Sequence, residues 1–148
     1  MKQTRLTLLN IIALIIICVA ISCTNTELTS SEAPAKPQRF GMVTGLKPEK
    51  LEYYKKLHAN AWPGVLKKIK ECNIQNYSIY LQKIDGKYFL FSYFEYTGAD
   101  FKADMKKMAA DSTTQKWWKE TAPAQIPLPE AAAKGETWAN MEEVFHTN

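Results

Sequence analysis

The chain has 148 residues, 46% of them hydrophobic, which is enough to bury the core of one domain of ordinary size. Its net charge is +4, and about +2 once Lys2 and Arg5 of a basic leader are set aside, so the small and dispersed surplus excludes a nucleic-acid-binding surface. The cysteines and histidines do not cluster with the spacing of a zinc site, so no metal centre is predicted.

The first 22 residues are typical of a bacterial secretory signal peptide. Lys2 and Arg5 precede the apolar run 6–21, and small residues such as Ala20 lead to Cys23. "VAIS" before a cysteine resembles the lipobox of bacterial lipoproteins, although Ala20 stands where leucine is usual. The resemblance implies cleavage after residue 22, a lipid on Cys23, and an exported protein anchored to the membrane in the periplasm or at the cell surface. An uncleaved N-terminal anchor helix is the alternative, and it also leaves the domain exported and tethered.

Residues 23–37 are predicted to be a flexible linker between the lipid anchor and a domain that spans 38–148. The linker is polar, rich in Ser, Thr and Pro, and without periodicity. Because Cys18 would leave with the signal peptide and Cys23 would carry the lipid, Cys72 remains alone in the mature domain, and no intrachain disulfide is expected.

The domain begins with a predicted strand, 39–46, followed by helical spacing from Pro48 onward. Alternation along the strand puts Gly41 and Gly45 on one face, where they would leave room for a site or allow close packing of a helix. Pro63 is predicted to interrupt the helix and to begin a second helical segment.

Residues 76–96 give the clearest signal in the chain, because two runs of aromatic and β-branched residues flank Asp85–Gly86 and predict an antiparallel hairpin. An amphipathic helix is predicted from Phe101, and a shorter one through "TTQKWWKE". The proline-rich stretch 121–129 is predicted to be an extended loop, and 138–146 the last strand.

The predicted order of strand, helix, strand, strand, helix, strand defines an α+β, ferredoxin-like split βαβ fold (βαββαβ). Both helices would cover one face of a four-stranded sheet and leave the other face, rich in aromatic rings, open. Pairing of two such sheets would bury that face, so a homodimer of the dimeric α/β barrel type is expected.

One helix carries a stripe of three different rings. Tyr54, His58 and Trp62 stand at i, i+4 and i+8 and share one side until Pro63 ends the segment. Aromatic residues at helical spacing usually pack in a core, so the stripe is either core or site. The scarcity of histidine favours a functional site over a core role for this stripe, because His146 is the only other histidine in the sequence.

Trp117 and Trp118 form a second aromatic concentration. Adjacent residues on a helix point about 100° apart, so both cannot serve one core face. One of them is therefore predicted to face a cavity or an interface.

Four motifs follow one another along the domain: Y-x-x-x-H-x-x-x-W-P at 54–63, N-Y-x-I-Y-L at 76–81, W-W-K at 117–119 and M-E-E-V-F at 141–145. Together they resemble the L-rhamnose mutarotase family over nearly all of 39–145. The resemblance implies a dimeric ferredoxin-like protein that interconverts the α and β anomers of L-rhamnopyranose, a monosaccharide, without a cofactor.

The same resemblance implies roles for individual residues. His58 would be the general acid at the ring oxygen, with Tyr54 beside it, and the neutral-range pKa of histidine suits such proton exchange. Tyr77 would hold sugar hydroxyls, and Trp117 and Trp118 would line the pocket against the apolar faces and methyl group of a deoxy sugar. The partner base stays open between a water, Glu142 or Glu143, and His58 itself in successive steps, since Tyr54 with an ordinary pKa of about 10 is a poor base.

Two departures from the family leave the substrate open. The export signal and the long proline-rich segment after Lys119 differ from a minimal soluble member, so a related deoxy sugar such as L-fucose, or a rhamnose-containing oligosaccharide end, is also possible. A non-catalytic sugar-binding lipoprotein of the same fold is the alternative function. The dimeric α/β-barrel monooxygenase type shares the architecture, but the four motifs disfavour it.

Overall fold

The computed structural model describes residues 36–147. The predicted signal peptide, the lipidation site Cys23 and all but the last two residues of the predicted linker lie outside these residues. The described part of the chain contains five α-helices and five β-strands: β1 (Gln38–Leu46), α1 (Leu51–Ala59), α2 (Pro63–Glu71), β2 (Ile74–Ile84), β3 (Lys87–Tyr96), α3 (Phe101–Ala110), α4 (Ser112–Thr121), β4 (Gln125–Ile126), α5 (Pro129–Ala132) and β5 (Ala139–Met141). Two short 3₁₀ helices, Pro48–Lys50 and Ala122–Ala124, precede α1 and β4. In this part of the chain no helix is both long and apolar enough to cross a membrane.

The strands form one antiparallel sheet in the order β2-β3-β1, with β4 and β5 both paired to the outer edge of β1. This is the ferredoxin-like arrangement predicted from the sequence, with two short strands sharing the fourth place. β4 pairs with Gly45 and Leu46, whereas β5 pairs with residues 41–43.

The predicted last strand, 138–146, was too long, and part of the predicted loop is a strand. Only Ala139–Met141 pairs with β1 as β5. Beyond it, Glu143 meets Arg39 through side chains at 2.6 Å and 2.7 Å. β4 ends at Ile126 because Pro127 has no backbone N–H for a further ladder bond.

Proline and turn chemistry set the other boundaries as predicted. Pro63 is the first residue of α2, and Trp62 before it is extended (φ −65°, ψ 133°), which separates α2 from α1. The hairpin turn has φ 48° at Asp85 and 80° at Gly86, the signs that a type I′ turn needs at its two central residues.

Helices and loop residues cover one face of the sheet, here called the covered face, in two hydrophobic clusters. The first cluster joins β2, β3, α2 and α3 through its buried residues: Cys72, Ile74, Phe94, Tyr96 and Met108. The second joins β1, α1 and β3 through Leu46, Tyr54 and Leu90, with Ala124 from the segment before β4. The stacked ring of Phe40, 4.8 Å from that of Phe94, shows which face of β1 turns inward.

The opposite face, here called the open face, carries the two glycines of β1. A Cβ at Gly41 would lie 3.1 Å from the Met141 Cε, and one at Gly45 would lie 3.0 Å from the Ile126 Cβ. The prediction that these glycines leave room for a site or for a helix is therefore wrong, because side chains of the paired strands β4 and β5 fill the space. Farther across this face the rings of Phe89, Phe91 and Tyr93 are half-buried and Tyr80 is 63% exposed.

Candidate functional site

The residues of the predicted stripe meet near the second hydrophobic cluster. One turn apart on α1, the rings of Tyr54 and His58 stack with centroids 4.1 Å apart and planes 27° apart. Tyr54 is buried and His58 half-buried. His58 Nδ1 lies 2.9 Å from the backbone carbonyl oxygen of Tyr54. Since a carbonyl oxygen only accepts, Nδ1 must carry the proton, which leaves Nε2 as the nitrogen that can exchange a proton with a ligand.

Trp117 on α4 links the imidazole to the start of α2. Its ring stands edge-on to His58 at 5.1 Å and to Trp62 at 5.3 Å. Trp117 is buried, whereas its neighbour Trp118 is 42% exposed. As predicted, the two tryptophans do not share one core face. Among the described residues the ring contacts of His58 include Trp117 and not Trp118.

Tyr77 reaches the same region from β2. Its ring stands edge-on to Phe94 at 5.6 Å, and its phenol is close enough to Tyr54 to raise the pKa of that residue. Tyr77 as a whole residue is 41% exposed. Neighbouring groups nevertheless shield its phenol from solvent, which raises the pKa of Tyr77. Five rings thus form what we call the aromatic site: Tyr54, His58, Trp62, Tyr77 and Trp117.

Burial controls the protonation of these groups. It lowers the pKa of His58 below its usual value, against a smaller opposing effect of the hydrogen bond to the Tyr54 carbonyl. Burial also raises the pKa of Tyr54 well above its usual range, with a further contribution from Tyr77. At neutral pH the site therefore holds a neutral imidazole together with phenols that keep their protons.

Gln125 on β4 is a site residue that the sequence analysis missed. It is 7% exposed, and a hydrogen bond with its side chain works against the rise in the pKa of Tyr54. Gln125 lies inside the stretch predicted to be a loop. Its position between two prolines was the only feature of the sequence that set it apart from other polar residues. The long proline-rich segment thus contributes a polar group to the aromatic site.

A separate cavity of about 440 Å³ lies beside the C-terminal segment, lined by Lys36, Arg39, Glu143, Val144, Phe145 and His146. It has no residue in common with the aromatic site. Within it the carboxylate of Glu143 is held by Arg39, which lowers the pKa of the carboxyl group. This placement leaves Glu143 poorly suited to serve His58 as partner base. Within residues 36–147 no group of three His, Cys, Asp or Glu side chains is arranged to hold a metal ion.

The fold and the site together define an α+β, ferredoxin-like domain in which one imidazole is set among aromatic rings and phenols. The family model described as L-rhamnose mutarotase matches residues 39–147. An L-rhamnose mutarotase of Oceanobacillus iheyensis is 31% identical over 74% of this chain and 97% of its own length. Another from Listeria monocytogenes is 34% identical over 74% of this chain and 97% of its own length. The chain belongs to the L-rhamnose mutarotase family.

A solved structure supports the fold independently. The crystal structure of L-rhamnose mutarotase from Formosa agariphila superposes with a TM-score of 0.57, covering 75% of this chain and 99% of that one at 23% identity. At this identity the likeness shows the fold, which agrees with the sheet order described above.

Proposed function

We propose that this protein is a mutarotase that interconverts the α and β anomers of L-rhamnopyranose or a related deoxy sugar. The observation that carries the proposal is the geometry of His58, whose Nδ1–H is bound to the Tyr54 carbonyl while its ring is stacked on one side and bounded edge-on by Trp117. Such an imidazole is fixed in one tautomer and in one orientation, as a proton-transfer group needs to be.

The reaction opens and closes a hemiacetal. Neutral His58 accepts the anomeric hydroxyl proton at Nε2, the bond between C1 and the ring oxygen breaks, and C1 becomes a carbonyl carbon. The imidazolium then delivers the proton to the ring oxygen. Rotation of the carbonyl and the reverse steps close the ring on its other face, so protons and electrons balance without a cofactor.

The lowered pKa of His58 gives it the base role first and the acid role second. Acting in both steps, His58 is its own partner base, which was one of the alternatives left open by the sequence. Tyr54 keeps its proton and donates a hydrogen bond to the substrate. Tyr77 holds sugar hydroxyls, while the buried Trp117 and the more exposed Trp118 offer apolar ring surface to the sugar.

Anomer-exchange NMR with purified protein tests the proposal, using L-rhamnose, L-fucose and D-glucose in parallel. Exchange should be accelerated for L-rhamnose and lost by about 10²-fold or more in His58→Ala. His146→Ala is the matched control, because it removes the other histidine, which lines the separate cavity. L-Rhamnose binding without accelerated exchange would support the sugar-binding alternative, which membership of a mutarotase family does not favour.

We also infer that two copies pair through their open faces. Phe89, Phe91 and Tyr93 form a half-exposed aromatic surface there, and burying such a patch against a second copy is favourable. Phe91→Glu should then convert a dimer into a monomer in sedimentation, whereas an unchanged mass would contradict the pairing.

Export and anchoring rest on the sequence of residues 1–37 alone. The mature protein would carry its lipid on Cys23 and present the domain outside the cytoplasm. Labelling of cells with a radioactive fatty acid should mark the wild-type protein and not Cys23→Ser. An equal label on both would contradict lipidation at Cys23.

A further inference from the structure

Strand β2 contains a bulge immediately before Tyr77. Gln75 pairs with Glu95 and Ser78 pairs with Tyr93, so Asn76 and Tyr77 together oppose a single residue of β3. Asn76 has φ 50°, in the left-handed region, and asparagine is among the residues that adopt it most readily. This pair is called the β2 bulge below.

The bulge decides which way Tyr77 points. Ile74 packs in the first hydrophobic cluster, and Tyr77 contacts Phe94, so both side chains lie on the covered face. In a regular strand, residues an odd number of positions apart face opposite sides. Without the extra residue, either Ile74 would leave the core or Tyr77 would leave the aromatic site.

A hydrogen-bonded clasp on the open face holds the β2 bulge in place. Glu95 accepts from Gln75 Nε2 at 2.8 Å, from Asn76 Nδ2 at 2.8 Å and from Tyr93 Oη at 2.9 Å. These donors lower the pKa of Glu95, so its carboxylate is charged and binds them strongly at neutral pH. Of the three donors, Asn76 belongs to the bulge and Gln75 directly precedes it.

We propose that Asn76 is a positioning residue for catalysis: its left-handed backbone and its amide bond to Glu95 hold the β2 bulge that directs Tyr77 into the aromatic site. The inference rests on the proposed function, because it assumes that Tyr77 contacts the sugar. Asn76 would then set the affinity for substrate from outside the aromatic site, through its bond to Glu95 on the open face of the sheet.

Two substitutions separate the backbone from the amide. Asn76→Val disfavours positive φ and should straighten the strand, raising the KM for L-rhamnose about tenfold, the effect of one lost hydrogen bond, while changing kcat much less. Asn76→Gly adopts positive φ freely and should stay within about threefold of wild type. Tyr77→Phe combined with Asn76→Val should be no worse than Asn76→Val alone.

Asn73 is a matched control for Asn76. It also has positive φ (58°), and its amide donates to a carboxylate, that of Asp104, at 2.7 Å. It lies between α2 and β2, so Asn73→Val should lower stability and leave KM unchanged. Where Asn76→Val fails to fold, Asn76→Ala gives the same test with less strain.

A second readout does not depend on activity. With ¹³C-labelled tyrosine, the pKa of Tyr77 should fall toward its ordinary value of about 10 in Asn76→Val, because the phenol leaves the surroundings that shield it from solvent. A folded Asn76→Val with unchanged KM and unchanged Tyr77 titration would overturn the inference. If wild type fails to accelerate exchange, the proposed function is wrong, and the Tyr77 titration alone decides the role of the bulge.

Discussion

His58 is bound to Tyr54 twice, once through the 2.9 Å hydrogen bond of Nδ1 to the backbone carbonyl and once through rings stacked 4.1 Å apart. Both contacts follow from the four-residue spacing on α1, which puts the second side chain one turn beyond the first. The stacking partner buries the imidazole, and burial lowers its pKa. One sequence spacing thus fixes the tautomer, the orientation and the protonation state of the same ring.

The pH dependence of exchange follows from this lowered pKa. If neutral His58 is the base, kcat/KM should fall as pH falls through the pKa of His58, and the midpoint should lie below the ordinary 6.5. A rate profile beside an NMR titration of the imidazole checks this. A midpoint clearly above 6.5 would contradict the buried neutral base.

The same shift has a consequence for stability. Between the folded pKa and 6.5, the unfolded chain binds more protons at His58 than the folded chain does, so stability rises with pH across this window. The contribution is complete above about pH 6.5 and is lost as pH falls toward the folded pKa. His58→Phe should flatten this part of the stability curve, measured by urea unfolding.

Local signals made much of the fold predictable. Asp85–Gly86 marked the hairpin and Pro63 the break between α1 and α2, because each acts through its own backbone dihedral angles. The spacing of Tyr54 and His58 likewise predicted that their rings share one side of α1, where they stack. These features need only a few neighbouring residues to be specified.

What escaped prediction depends on contacts between distant segments. The β2 bulge depends on the dihedral angle of Asn76 and on Glu95 of another strand, which no periodicity reveals. Gln125 reaches Tyr54 only because β4 pairs with the end of β1. The sequence also could not decide which of Trp117 and Trp118 turns toward His58, since that depends on how α4 packs.

Glu143→Gln tests whether this carboxylate takes part in proton transfer. Because Glu143 is bound to Arg39 beside the separate cavity, we expect exchange of L-rhamnose within about twofold of wild type. Glu142→Gln is the parallel variant, because the carboxylate of Glu142 was the other carboxylate left open as partner base. A loss of about 10²-fold in kcat in either variant, with the fold intact by circular dichroism, would identify the missing base.

Ser92→Ala is expected to stabilise the protein. Ser92 lies on the covered face of β3, is 2% exposed, and its Oγ has no hydrogen-bond partner among the described residues. Leaving a buried hydroxyl unpaired costs about 1–3 kcal/mol, so its removal should raise the free energy of unfolding by up to about that amount, less the small cavity created. Urea unfolding measures the change.

Thr44→Val is the comparison for Ser92→Ala. The Thr44 hydroxyl is also buried but donates to the Ile126 carbonyl at 3.2 Å, so its removal should destabilise the protein by about 1 kcal/mol. Opposite signs for the two variants would show that hydrogen bonding, and not side-chain volume, decides the effect. A destabilised Ser92→Ala would mean that the hydroxyl has a partner in solution.

Gln125→Leu should weaken exchange through Tyr54. The leucine fills similar space but removes the hydrogen bond with the phenol, so Tyr54 loses one constraint on its orientation. We expect kcat/KM for L-rhamnose to fall about tenfold, as for Tyr54→Phe. The double variant should fall no further than the worse single one, because both act through one contact. Independent, multiplying losses would instead mean that Gln125 contacts the sugar itself and that β4 contributes directly to substrate binding.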